Sequence, residues 1–493
     1  MTAAPAGDRS LRSLPGPCAR PLAALRAGVV VALLAVGGCS ADKPPAGPAS
    51  SARAPAPQFA PGSAGIGDPY FPTYGNGGYD VASYDLKLRY DPTSGKLDGT
   101  ATIRATATQD LSRLNFDFAH LTASAVTVDG RQAQTKQDGN ELVVTPEHGV
   151  VRDRPFTVVV RYGGKPAPLT NNELGVGGWM RTKDGGFALG EPESASTWYP
   201  VNDHPSDKAT MTLAMTVPDG LEALGNGVPG PRHTAAGWTT WTWVEAAPMA
   251  SYLSTVVIGQ FQIKTSTHQG KPMITAIPDS LPADGPAARA MARTGEVADF
   301  LATHFGPYPL DAYGGVVVDD NRVGYALETQ TRPVYGSVFF RTAPNPIVVA
   351  HELAHQWFGD SVALERWRDI WLNEGFATYA EWLWLEHEGR QTVQQSFERQ
   401  YAGFDWHEPP GNPGADDLFG VAVYQRGAMT LYALRKAIGD PAFAALLRSW
   451  PAEHRNGNVT TADFIAAAEK ASGKDLDKLF QVWLFGTTRP PHP

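Results

Sequence analysis

Cysteine is nearly absent. The 493-residue chain has 2, Cys18 and Cys39, so nothing beyond residue 39 can form a disulfide or bind metal through a thiol. Such a fold must rely on its core. Positive charge is also short: 41 Lys and Arg stand against 50 Asp and Glu, a formal charge of -9. That balance argues against a basic surface for nucleic acid and is compatible with cationic or amine-bearing substrates. Long apolar runs are missing too. The run at 28–36 is too short to be a comfortable membrane span. What is present, 42% apolar and 18% charged residues, is ample for two or more packed domains.

The first 38 residues read as a processing segment. Arg9, Arg12, Arg20 and Arg26 precede the apolar run, and Gly37-Gly38-Cys39-Ser40 follows it. Small residues leading into a cysteine resemble the lipobox of bacterial lipoproteins. By that resemblance Cys39 is lipidated, becomes the mature N-terminus and anchors the protein to the membrane on its extracytoplasmic face; the alternative is an ordinary secretory signal. Either way the protein is exported. Residues 39–66 are largely Pro, Ala, Ser and Gly and read as a flexible tether.

From 67 to 264 the pattern has period two. Leu86, Leu88 and Tyr90 alternate with polar residues, as do Met211, Leu213, Met215 and Val217, and Asp91-Pro92 and Asp129-Gly130 mark turns. This predicts an antiparallel β domain. A helical region follows from Asp284, a candidate cap, to His304, then a strand at 314–318, and beyond about residue 346 helices, including 426–435 and 466–479. The second domain, 265–493, is therefore mixed α and β but mainly helical.

The chemistry concentrates between Val348 and Tyr379. His351 and His355 are four apart, so a helix puts both imidazoles on one face, with Glu352 between them as in H-E-x-x-H. Glu374 stands in a second helical run and could return as a third ligand. Two histidines and one carboxylate leave a position open, as a catalytic zinc site does. The apolar neighbours Val348, Leu353, Ala354, Trp357 and Phe358 bury this helix, and a buried helix does not accept two histidines and a glutamate without a partner.

His351-Glu352-Leu353-Ala354-His355-Gln356-Trp357-Phe358-Gly359, followed by Trp371-Leu372-Asn373-Glu374-Gly375-Phe376-Ala377, resembles the aminopeptidase N family of zinc peptidases, peptidase family M1. The resemblance implies a saddle-shaped β domain followed by a thermolysin-like catalytic domain. It implies one zinc ion on His351, His355 and Glu374, a water activated by Glu352, and Tyr424 as oxyanion donor, since Tyr424-Gln425-Arg426-Gly427-Ala428 matches Y-x-K-G-A with Arg for Lys. Glu328 falls in the strand similar to G-A-M-E-N, with Ala326 and Leu327 in the A-M places, Tyr325 for the first Gly and Thr329 for Asn. With Glu191 it would bind the α-amine of a peptide with a free N-terminus; Leu189 stands where that segment usually has Gln. Asp369 is a candidate to orient a histidine. The chain stops at Pro493, with no room for the C-terminal helical domain of larger members, so a more open cleft is expected. A thermolysin-type zinc endopeptidase and an inactive lipid-anchored peptide-binding protein are the alternatives. The sequence leaves the oligomeric state unknown.

Overall fold

Strand Ala209–Pro218 buries every second residue, as its alternation of Met, Leu and Val with Thr and Ala requires. In the computed structural model, which describes residues 58–171 and 175–493, it lies inside a large twisted sheet. The processing segment, Cys39 and the tether up to residue 57 lie outside the described residues. The sheet runs Trp238–Met249, Ala209–Pro218, Tyr79–Asp91, Lys96–Ala107, Pro155–Gly164 and Thr122–Val128, with short strands at both margins. Its ladders are antiparallel, as expected, except that Ala209–Pro218 runs parallel to Tyr79–Asp91. More than a hundred residues separate those two strands, so no hairpin dictates their direction.

A second, five-stranded sheet contains the hairpin Gly175–Arg181 and Gly186–Leu189, closed by Val256–Gly259 and Glu222–Gly225. A smaller sheet begins at Ala60–Pro61, which pairs with Leu111–Asp117. Residues 60–66, expected to belong to the tether, are thus tied to the β domain from residue 60 onward: the pairing satisfies backbone groups that a Pro- and Gly-rich stretch cannot satisfy itself.

The strand Phe261–His268 straddles the boundary expected at residue 265. It pairs with Lys271–Pro278, and that hairpin joins Tyr313–Val318, Val334–Gly336 and the two-residue edge strand Ala326–Leu327 in one sheet. Among the described residues the edge strand has a neighbour on one side only. Helices α1 (Pro286–Met291) and α2 (Thr294–Phe305) replace the single expected helix, and Gly285, not Asp284, is the N-cap. After them come α3 (Pro346–His355), α4 (Trp371–His387), α5 (Val393–Gly403), α6 (Gly427–Ile438), α7 (Asp440–Glu453), α8 (Thr461–Ser472) and α9 (Asp477–Leu484). The expected amphipathic stretch 466–479 is split because Gly473 ends α8 in the left-handed conformation, φ 65°. Among the described residues no helix is long and apolar enough to cross a membrane.

Candidate active site

Helix α3 begins at Pro346, with the Asn345 side chain accepting from the Ile347 and Val348 amides. The helix buries His351, Glu352 and His355 together against α4, whose first turn supplies Glu374. His351 Nε2 lies 3.1 Å and His355 Nε2 3.4 Å from Glu374 Oε2. Donors on a tetrahedral zinc at 2.0–2.1 Å would sit about 3.3 Å apart, so the spacing fits that ion. The outward nitrogens are occupied: Nδ1 of His351 is 2.7 Å from Glu381 Oε1 and Nδ1 of His355 is 3.0 Å from the Phe358 carbonyl. Donation from both Nδ1 atoms leaves each Nε2 lone pair facing Glu374.

The electrostatics describe a hole for positive charge. Burial opposes ionisation of all three groups, yet the histidines hold the Glu374 carboxyl down to about 2. Against the same burial, Glu374 and Glu328 hold His355 up at about 9, and Glu374 with Glu381 raises His351 well above the usual imidazole range. Glu328 and Glu352 also offer oxygens within 4.8 Å of each other and of a His355 nitrogen. Burial, reinforced by Glu328 and Glu374 and opposed by the two histidines, pushes the Glu352 carboxyl up to about 8.

Glu328 follows the edge strand directly, is 2% exposed and accepts a hydrogen bond from the Tyr252 hydroxyl at 3.2 Å. Gln356 locks this segment to α3: its Nε2 donates to the Glu328 carbonyl at 2.9 Å while its Oε1 accepts from the Thr331 amide at 2.7 Å. Leu327 beside it is buried, and Ala326 is half-buried. Glu191, just after Gly186–Leu189, is also 2% exposed; burial raises its pKa well above the carboxylate range, and Glu328, Glu374 and Glu352 add to the rise, so the acids share one field. Tyr424 comes from a π-helical turn, Ala422–Arg426, ahead of α6, and its ring stacks on His351 with centroids 5.9 Å apart. Burial first, then Glu374 and Glu191, raise its phenol well above 10, which keeps it protonated as a donor.

A close approach of backbones explains where Tyr424 sits. A Cβ on Gly375 would come within 3.0 Å of Gly427 Cα, and one on Gly427 within 2.9 Å of Gly375 Cα. The N-E-G and Y-x-R-G segments therefore touch through their glycines. Arg426, fully buried, donates to the carbonyls of Trp406, Glu408, Val482, Trp483 and Gly486 and acts as a clasp under the turn.

Not every expectation holds. Asp369 does not reach the histidines: its Oδ1 accepts from the Thr461 amide at 3.1 Å and hydroxyl at 2.5 Å, holding the start of α8. The carboxylate on the histidine is Glu381. Its signal in the sequence was a seven-residue spacing from Glu374, which two helical turns place on the same face. Tyr252 and Gln356 were equally missed as site residues.

Residues 81–253 match the family model described as the peptidase M1 N-terminal domain, and residues 290–483 the one described as the peptidase family M1 domain. Among solved structures, the M1 zinc metallopeptidase of Deinococcus radiodurans is 30% identical, covering 87% of this chain and 98% of its own with a TM-score of 0.79. A mutant of that enzyme bound to a Tyr-Ser-Ala substrate is 30% identical and superposes with a TM-score of 0.80 over 87% of this chain and 99% of that one. Aminopeptidase M1-B of Oryza sativa subsp. japonica is 28% identical over 81% of this chain and 49% of its own length, and aminopeptidase N of Lactococcus lactis subsp. lactis 26% over 82% and 50%. The chain thus spans about half the length of these curated relatives. With both family models matched in order and a full-length structural relative at 30% identity, the chain belongs to peptidase family M1.

Proposed function

We propose that this chain is a zinc aminopeptidase, removing the first residue from peptides with a free N-terminus. The observation that supports the reading is Glu328, whose carboxylate lies within 4.8 Å of Glu352 and a His355 nitrogen, together with a second buried acid, Glu191, on which Glu328, Glu374 and Glu352 act electrostatically. A cluster of carboxylates this dense resists ionising until a cation arrives, and a peptide ammonium is such a cation. His351, His355 and Glu374 would hold the zinc, which when bound supplies Lewis acidity toward a water and a carbonyl oxygen.

The chain's own groups account for the rest. Glu352 takes a proton from the attacking water and returns it to the departing amine. Tyr424 donates its hydroxyl to the carbonyl oxygen as negative charge builds there. Glu328, steadied by Tyr252, and Glu191 accept from the ammonium, and the side of Ala326–Leu327 that has no strand neighbour among the described residues offers backbone partners to an extended peptide. Holding the amine beside the metal leaves no space for an upstream residue, which distinguishes this register from an endopeptidase's.

The test compares free and N-acetylated aminoacyl amides, with and without chelator. Hydrolysis confined to the free amines and lost with chelator is expected, and Glu352→Gln should lower kcat by about 10²–10⁴ while zinc content is retained. Equal cleavage of acetylated substrates would instead favour the endopeptidase, and zinc content without turnover the binding protein. We further propose export with lipidation at Cys39; Cys39→Ser should release the protein from the membrane fraction.

A further inference from the structure

Tyr325 lies immediately before the edge strand and three residues before Glu328. Its main-chain oxygen accepts from the Gly336 amide at 3.1 Å, which fixes the residue on the sheet. The side chain then leaves the sheet altogether. Its hydroxyl donates to the Val176 carbonyl at 3.3 Å, in the β-domain strand Gly175–Arg181. That strand pairs with Gly186–Leu189, and two residues past its end stands Glu191. The half-buried ring therefore crosses the gap between the two arms that deliver Glu328 and Glu191. Burial and then the Glu191 carboxylate raise its phenol above the ordinary value, so the two side chains are in electrostatic reach. Within that arm the backbones pack closely: at Gly190 a Cβ would meet Gly177 Cα at 2.7 Å. A glycine in place of Tyr325, as in the motif this strand resembles, would leave the gap unfilled.

We propose that Tyr325 is a specificity-determining residue whose ring closes this side of the cleft and limits the size of the first side chain of the substrate. The inference rests on the aminopeptidase reading. An α-amine held between Glu191 and Glu328 puts the first Cα one bond away, so the side chain it carries meets whatever spans the two arms. In this chain that is an aromatic ring tethered at both ends.

The experiment measures kcat/KM of the full chain for free Ala-amide and Trp-amide in the unsubstituted protein, Tyr325→Gly and Tyr325→Trp, with thermal unfolding of each. The Trp-to-Ala ratio should rise roughly tenfold or more in Tyr325→Gly and fall in Tyr325→Trp, the scale on which pocket volume discriminates. The opposed pair keeps the test decisive if one variant is too unstable to assay. A ratio unmoved in the folded variants overturns the proposal while leaving the aminopeptidase reading intact; an unsubstituted protein that cleaves no free aminoacyl amide sinks both.

Discussion

At the scale of the residue, the metal hole depends on a carboxylate that does not enter it. Glu381 accepts from His351 Nδ1 at 2.7 Å, fixing the ring and its tautomer. Glu381→Gln should weaken zinc binding about 10–100-fold, read by competition with a chromogenic chelator, with little change in the unfolding curve of the metal-free protein. The three proposed ligands and Glu352 were legible because a helix converts a spacing of four into a shared face, and nothing else in the buried run 348–358 explains two imidazoles. Glu381 was hidden because it falls in a run of Trp and Leu where one charge reads as the wet side of an amphipathic helix. Tyr252 was legible only as part of the β domain's closing stretch, since its contact with Glu328 crosses 76 positions of sequence.

At the scale of the element, two helices meet at bare backbone. Gly375 and Gly427 let α4 and the first residue of α6 approach until their Cα atoms leave no space for a methyl group. Gly427→Ala should therefore cost about 1–3 kcal/mol in urea unfolding and lower kcat through displacement of Tyr424, with KM for a free aminoacyl amide changed less. The sequence marked both glycines as parts of motifs but could not show that they touch, because the contact joins segments 52 residues apart and has no side chains to pattern it. Arg426 invites a similar test. A lysine keeps the charge but has three donors against the five carbonyls now served, so Arg426→Lys should destabilise the fold by about 2–4 kcal/mol while zinc still binds.

At the scale of the whole molecule, buried acids outside the active site set the response to pH. Burial pushes Asp207 up to about 8 and Glu193 and Glu245 up to about 7, whereas unfolded they titrate near 4. Between those values the folded chain keeps protons that the unfolded chain releases, so stability falls as pH rises. Lys208 is opposite in sign: burial lowers it to about 7, and above that pH the unfolded chain binds more protons, so stability recovers. The urea midpoint of chelated protein should be higher near pH 5 than near pH 8, by on the order of 2–5 kcal/mol in unfolding free energy. A midpoint that climbs steadily across that interval would contradict the assignment. The two domains were readable from the switch of period, two before about residue 260 and mainly helical beyond about 346. Lys208 spends its ammonium on the Asp360 and Ser361 carbonyls just past α3, a use that no pattern in the strand following it announces. The clasp under the π turn has a practical corollary. Because residues 482–486 supply three of its five acceptors, a protease that nicks the chain near residue 482, or a fusion that unravels α9, should abolish the proposed activity with His351, His355 and Glu374 still in place.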